Sequence, residues 1–158
     1  MGRAIKIDVK GFEELRTQIT NLQKNIDEIM GYLTKDIAAL LLRKVTKRTP
    51  VGNYDHVLPE YKKTGGNLRK NWTVGEITRN GNVYNIEVIN PTEYASYVEF
   101  GHMQEPGKFV PALGKRLKKA WVPGRFMLTI SENEIKNDLE NILSHRLERA
   151  LKKVYGND

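Results

Sequence analysis

Ten apolar residues recur at steps of mostly three and four: Phe12, Leu15, Ile19, Leu22, Ile26, Ile29, Leu33, Ile37, Leu40 and Val45. That spacing places them on one face of a helix and lies close to the heptad repeat. No other signal in the chain restricts the fold as much. A helix unbroken to Arg48 would measure roughly 57 Å at 1.5 Å per residue, more than a single core of this size covers. Gly31, near the middle, is the cheapest place for a bend, so the spacing predicts a break there. Ala38-Ala39-Leu40-Leu41-Leu42 is apolar nearly all round, and the second half is therefore expected to be the better buried. Thr49-Pro50 ends the segment, because a residue before proline avoids the α region.

Before this stripe, Ile5, Ile7 and Val9 alternate with Lys6, Asp8 and Lys10, the pattern of a half-buried strand. After it, residues 51–70 are polar and rich in turn formers, which predicts an extended loop. Residues 71–78 and 83–90 read as two strands around Arg79-Asn80-Gly81-Asn82, with Asn-Gly expected to supply two positive φ angles. Tyr84, Ile86 and Val88 alternate with Asn85 and Glu87, giving one buried and one wet face. Tyr94, Tyr97 and Val98 have the spacing of a short helical turn. Residues 102–124 are spaced by Pro106, Gly107, Pro111 and Gly114, so this segment is expected to be a second flexible loop, with helix possible only within 113–121. Ser131-Glu132-Asn133-Glu134 reads as a capping box opening a helix that carries Ile135, Leu139, Ile142, Leu143, Leu147 and Leu151. Together these predict one α+β domain spanning 1–158: a small antiparallel sheet packed against a long N-terminal helix and a C-terminal helix, with two extended loops.

A chain of 158 residues suits one core. No apolar run approaches the roughly 20 residues that span a bilayer, and the start carries no secretory pattern, so no membrane partner is expected. The absence of cysteine removes disulfides and thiolate metal sites and fits an intracellular setting. The net charge is +7, and it is clustered. Lys108, Lys115, Arg116, Lys118, Lys119 and Arg125 fall in one stretch without an acid, as do Arg43, Lys44, Lys47 and Arg48. Such patches attract polyanions without reading sequence.

Catalytic chemistry has no foothold in the pattern. His56, His102 and His145 show no ligand spacing; Glu99 and His102 could share a helical face, but two ligands are not a coordination set. Ser96, Ser131 and Ser144 lack a nucleophile motif, and Ser131 is better explained as a helix cap. Thr64-Gly65-Gly66-Asn67-Leu68-Arg69-Lys70 only loosely resembles a phosphate cradle. The expectation is a chain that is not an enzyme and carries no metal or cofactor. The stretch Lys115-Arg116-Leu117-Lys118-Lys119-Ala120-Trp121 combines cations with an aromatic, which suits nucleic acid. It equally suits a loop whose apolar residues dock on a partner. Phe109, Leu113, Leu117 and Trp121 exposed together would make a contact patch.

Several motifs resemble those of the tail-component family of tailed bacteriophages and prophages. They are Val9-Lys10-Gly11-Phe12-Glu13-Glu14-Leu15; Thr49-Pro50-Val51; Thr64 through Trp72; Asn90-Pro91 with Tyr94-Ala95-Ser96-Tyr97-Val98-Glu99-Phe100-Gly101; and Pro123-Gly124-Arg125-Phe126-Met127-Leu128. The insert between Pro50 and Thr64 is longer than in the simplest members, and the 102–124 loop is long. The resemblance implies a structural protein of the phage neck or tail end, present in the virion and in host cytoplasm during assembly. It would complete the tail or join head to tail as a ring-forming homo-oligomer. Its partners would be the head connector or the tail tube and terminator proteins, with phage DNA passing through non-specifically. Tyr94, Tyr97, Val98, Phe100, Gly101 and Phe126 would form the motif core. Phe109, Leu113, Lys115, Arg116, Leu117, Lys118, Lys119 and Trp121 would be the assembly or DNA-facing loop. A small basic nucleic-acid-binding protein is the alternative.

Overall fold

The first helix does not break. In the computed structural model, which describes residues 10–61 and 63–155, α1 runs without interruption from Lys10 to Arg48. Its 39 residues make it about 58 Å long. The expected bend at Gly31 is absent because no single core has to cover the helix. Two separate clusters share it. Ile29 and Leu33 pack with Ala150 and Leu151, while Val45 packs with Leu68 and Met127 against Trp72, Val88, Ala95, Val98 and Leu128. Thr49 closes the helix as expected, its N–H bonded to the Val45 carbonyl at 2.9 Å. The strand expected over residues 5–9 lies outside the described residues.

Residues 51–70 hold a 3₁₀ turn, Pro59–Tyr61, and a one-turn helix α2, Asn67–Lys70. Then follow β1 (Thr73–Val74), β2 (Thr78–Asn80), β3 (Val83–Asn85) and β4 (Val88–Ile89). β1 pairs with β4 and β2 with β3, both antiparallel, so the expected hairpin forms as two ladders. Gly75 N–H to the Glu87 carbonyl, 2.8 Å, bridges the gap between them. The turn differs from the expectation by one residue. Asn80 pairs with Val83, leaving Gly81-Asn82 as the loop, and of these only Gly81 has positive φ (60°). That is the pattern in which glycine takes the first central position, not the one that needs two positive φ angles. Tyr84, Ile86 and Val88 are half-buried while Asn85 and Glu87 are exposed, as the alternation predicts.

The short helix α3 spans Ala95–Phe100. After it, the second expected loop is mostly ordered as strands, with a 3₁₀ turn, Pro111–Leu113, at its tip. β5 (Gly101–Met103) pairs with β8 (Trp121–Pro123), and β6 (Phe109–Val110) pairs with β7 (Lys115–Arg116). Gln104 N–H to Ala120 O and Gly107 N–H to Leu117 O join the two ladders into one antiparallel arm. The backbone donors of this segment are satisfied across the ribbon, strand to strand, instead of within a helix over 113–121.

The last helical region is two helices, α4 (Met127–Asn137) and α5 (Leu139–Tyr155). α4 starts four residues before the expected capping box, so Ser131 is not a cap. It is fully buried and donates to the Met127 carbonyl at 2.6 Å, one turn back. Glu134 instead reaches α1, accepting from Lys44 and Arg48. These two cations hold its carboxyl below the ordinary glutamate range, Lys44 most of all. α5 is fastened to α1 by Arg146 and Asp36, 2.6 Å apart. The α+β class is as expected. Among the described residues no helix is long and apolar enough to cross a membrane.

Candidate functional site

The motifs that stood apart in sequence meet in space at the base of the arm. Gly101 has φ of 87°, open to glycine and strained for other residues. A Cβ there would lie 2.5 Å from the Val122 carbonyl oxygen and 2.7 Å from the Trp121 ring. One on Gly124 would lie 2.3 Å from the Glu99 carbonyl oxygen. Two backbones therefore cross at closest approach, and only glycine at both positions permits it. The returning strand then takes up the carbonyls that α3 leaves free. Arg125 N–H donates to Val98 O at 2.8 Å and Phe126 N–H to Glu99 O at 2.9 Å.

Glu99 completes the lock. It is only 6% exposed, and its carboxylate accepts from Leu128 N–H, Thr129 N–H and the Thr129 hydroxyl at 3.0, 2.9 and 2.8 Å. These are donors of the first turn of α4, which otherwise have no partner in the helix, and the helix dipole favours a negative charge there. Phe126, immediately before α4, adopts the left-handed conformation and contributes no side-chain cap. A carboxylate delivered from a different helix replaces the cap that was expected at Ser131. Glu99 thus has a structural task and is not turned toward His102. The His102 ring packs edge-on against Tyr97 at 5.8 Å, with Nδ1 buried and unpartnered.

The upstream motifs lock the same region from the other side. Arg69 donates through Nε and Nη2 to the Thr49 carbonyl (2.9 and 2.6 Å), and Trp72 Nε1 donates to the Thr49 hydroxyl (2.8 Å). Asn90 Nδ2 donates to the Leu68 carbonyl at 2.7 Å. The expected motif core is only partly a core. Val98 packs inside and Gly101 is half-buried. Tyr94, Tyr97, Phe100 and Phe126 are 43%, 58%, 60% and 44% exposed. On a six-residue helix one face must turn outward. Here the inward face is Ala95, Val98 and Glu99, leaving the aromatics outside.

Along the arm, Phe109 and Trp121 are exposed, whereas Leu113 and Leu117 are half-buried. Phe109 stands opposite Arg116, and Trp121 stands opposite Met103. Met103, 72% exposed, belongs to this surface and was not singled out in the sequence. Its signal was the Glu-x-Gly-x-Met alternation through a glycine, which only the β5–β8 pairing makes legible. Lys115, Arg116, Lys118 and Lys119 are all exposed. Arg116 donates to the Gly107 carbonyl at 2.6 Å, and among the described residues Lys115, Lys118 and Lys119 enter no ion pair. The two extended segments touch: Leu58 N–H donates to the Ala112 carbonyl at 3.1 Å, so the arm's turn rests on the first loop. The result is a stiffly rooted ribbon with cations and Phe109 toward its turn and the other exposed aromatics about its root. Exposed aromatics beside unpaired cations suit contact with another macromolecule.

Residues 13–101 match the family model described as "Bacteriophage HK97-gp10, putative tail-component". That is more than half of the chain, and the match ends at Gly101, where the arm begins. No curated protein and no solved structure matches the chain.

Proposed function

This chain belongs to the bacteriophage HK97-gp10 tail-component family, and from that membership we propose that it acts by assembly alone, without catalysis. In this reading copies of the chain form a ring at the tail end or neck, completing the tail or joining it to the head. The observation that supports it best is the rooted arm. Exposed aromatic area at the root supplies adhesion, and the cations supply attraction to an acidic partner or to DNA in the lumen. A surface held by a crossing of two glycines and a buried carboxylate loses little entropy when it docks, which favours affinity.

Electron microscopy of the purified protein mixed with tail tubes or head connectors tests this. Rings, or density at one end of the tube, are the expected result. Monomers alone in every mixture, or fully joined infectious particles lacking the protein, would overturn it. The second reading, a nucleic-acid-binding protein, is favoured by one feature: Trp121 beside the Lys115–Lys119 cations. It requires tight binding of duplex or single strands by the isolated monomer, weakening steeply as salt rises.

A further inference from the structure

Ala38-Ala39-Leu40-Leu41-Leu42 is apolar nearly all round, yet the body covers only part of it. Ala38 is buried, Ala39 is exposed, and Leu40, Leu41 and Leu42 are half-buried. A helix that is apolar all round normally has neighbours all round. Here α4 meets α1 on the side of Lys44, Val45 and Arg48, through Glu134 and Met127. At about 100° per residue, Ala39, Leu42 and Thr46 fall on another side of the helix. There α1 and the hairpin of β1 to β4 leave an open trough of about 610 Å³, floored by Ala39, Leu42, Val74, Ile77 and Ile86. A second hollow of about 600 Å³ continues it past Ala39 and Leu42 to Thr46. None of the residues lining either hollow belongs to α4 or α5.

The rim is cationic. Lys35 borders one end, Arg43 and Lys47 the other; all three are exposed, and among the described residues none enters an ion pair. Arg69, also at the rim, is bound to the Thr49 carbonyl, and Glu76 is the one acid among the lining residues. Such a trough fits a short apolar ridge with acids at one end. The chain carries one. Leu139, Leu143 and Leu147 stand four apart on α5, the spacing of a helix ridge that packs into a groove. Leu139 and Leu147 are 36% and 41% exposed, and Leu143 is half-buried. Asp138 and Glu140, on either side of Leu139, are exposed, and among the described residues neither enters an ion pair. The lengths agree. At 1.5 Å per residue the ridge runs about 12 Å from Leu139 to Leu147, and the trough about 17 Å from Lys35 to Thr46.

We propose that the trough over Ala39 and Leu42 receives the Leu139–Leu143–Leu147 ridge from a second copy of this chain. The ridge lies antiparallel to α1, so that Asp138 and Glu140 meet Arg43 and Lys47 while Leu147 lies over Ala39. The ridge of the same copy cannot serve, because its α5 is held on the Ile29 and Leu33 side of α1. Trough and ridge are different surfaces, so the contact is head-to-tail and leaves one of each free for the next copy. A contact of that kind builds a ring where the rotation per copy closes. The proposal rests on the ring reading and names the surfaces that carry it.

The chain has no cysteine, so single-cysteine variants of the full protein report the contact directly. On mild oxidation with diamide, an Ale-free mixture is not needed: Ala39→Cys protein mixed with Leu147→Cys protein of a different tag length should give the mixed dimer, with little dimer from either alone. Arg43→Glu/Lys47→Glu in the first protein should cut that yield about tenfold, and Asp138→Lys/Glu140→Lys in the second should restore it. Thermal unfolding of each variant should stay near that of the parent, since these side chains are exposed. A mixed yield no greater than the yields alone, or linkage of Ala39→Cys to Leu139→Cys in its place, would overturn the proposal. So would linkage indifferent to Arg43→Glu/Lys47→Glu while duplex DNA binding is lost, which would assign the trough to nucleic acid. Rings on tail tubes that survive the unrestored charge reversal would overturn it and leave the ring reading intact. Mixed dimers from a protein that forms only open chains would support the contact and count against the ring reading alone.

Discussion

The root and the outer part of the arm are a few residues apart in sequence and obey different physics. At the root, Gly101, Gly124 and Glu99 are fixed by close backbone approach and by a buried carboxylate with three donors. Further out, Lys115, Lys118 and Lys119 are exposed and free of ion pairs among the described residues. The root therefore determines whether the domain holds together, and the outer arm determines what it meets. Substitutions should separate accordingly, stability responding at the root and assembly responding along the arm.

The largest effect is expected at Gly124→Ala. The new Cβ would meet backbone 2.3 Å away, which cannot move aside as a flexible side chain could. We expect a loss of about 3 kcal/mol or more in chemical denaturation. A loss under about 1 kcal/mol would mean that the crossing is loose and the root is not a lock. Glu99→Ala comes next, at about 2–3 kcal/mol, since it removes a helix cap and strands buried N–H donors. Glu99→Gln, which keeps the shape and one acceptor oxygen, should recover part of that loss. If Gln is as damaging as Ala, the charge on the α4 dipole matters more than the hydrogen bonds.

A smaller effect concerns the ties of α1. Glu134 is held below its ordinary range by Lys44 and Arg48. Asp27 is likewise lowered, first by the Tyr84 hydroxyl at 2.5 Å and then by Arg79, whose guanidinium also lies 5.3 Å over the Tyr84 ring. A carboxylate with a depressed native pKa stabilises the fold above its unfolded pKa, and that contribution is lost as pH falls through the native value. Stability should therefore decline below about pH 4, and less so in a Glu134→Gln/Asp27→Asn variant, measured by denaturation across pH. The Tyr84 pKa is raised by Asp27, so its contribution is present below the ordinary tyrosine range and lost as pH rises through the native value. The smallest stability change belongs to Lys118→Glu/Lys119→Glu, within about 0.5 kcal/mol. This variant should nonetheless lose tail-tube or DNA binding and the salt dependence of that binding. Unfolding by the double variant would erase the contrast between root and outer arm.

Periodicity and breakers carried much of the fold. The heptad stripe, Thr49-Pro50, the alternation of Tyr84, Ile86 and Val88, and the turn over Tyr94 and Val98 all correspond to elements that form. Those signals are local, since each depends on neighbours within one or two turns of chain. The misreadings share one cause. Gly31 did not bend α1, because two distant clusters divide the helix between them. Ser131 did not begin a helix, because Glu99, thirty residues earlier, caps it at Leu128 and Thr129. The segment 102–124 was expected to be a loop because its ladder pairs residues too far apart for any window to register. The aromatics Tyr94, Tyr97 and Phe100, expected to belong to the motif core, lie on the outer side, because the helix faces inward with Ala95, Val98 and Glu99.

Alone, the sequence determined the helical spine, the hairpin, the basic arm and the family, since periodicity, turn residues, charge and motif order survive without coordinates. Only the tertiary structure decided that the separated motifs meet at one crossing, that Glu99 caps a helix and that Leu15, Ile19 and Ile26 of the stripe are exposed while Ile29 and Leu33 are buried. Close backbone approach and burial are relations between distant segments, and a linear pattern contains neither until the chain is folded.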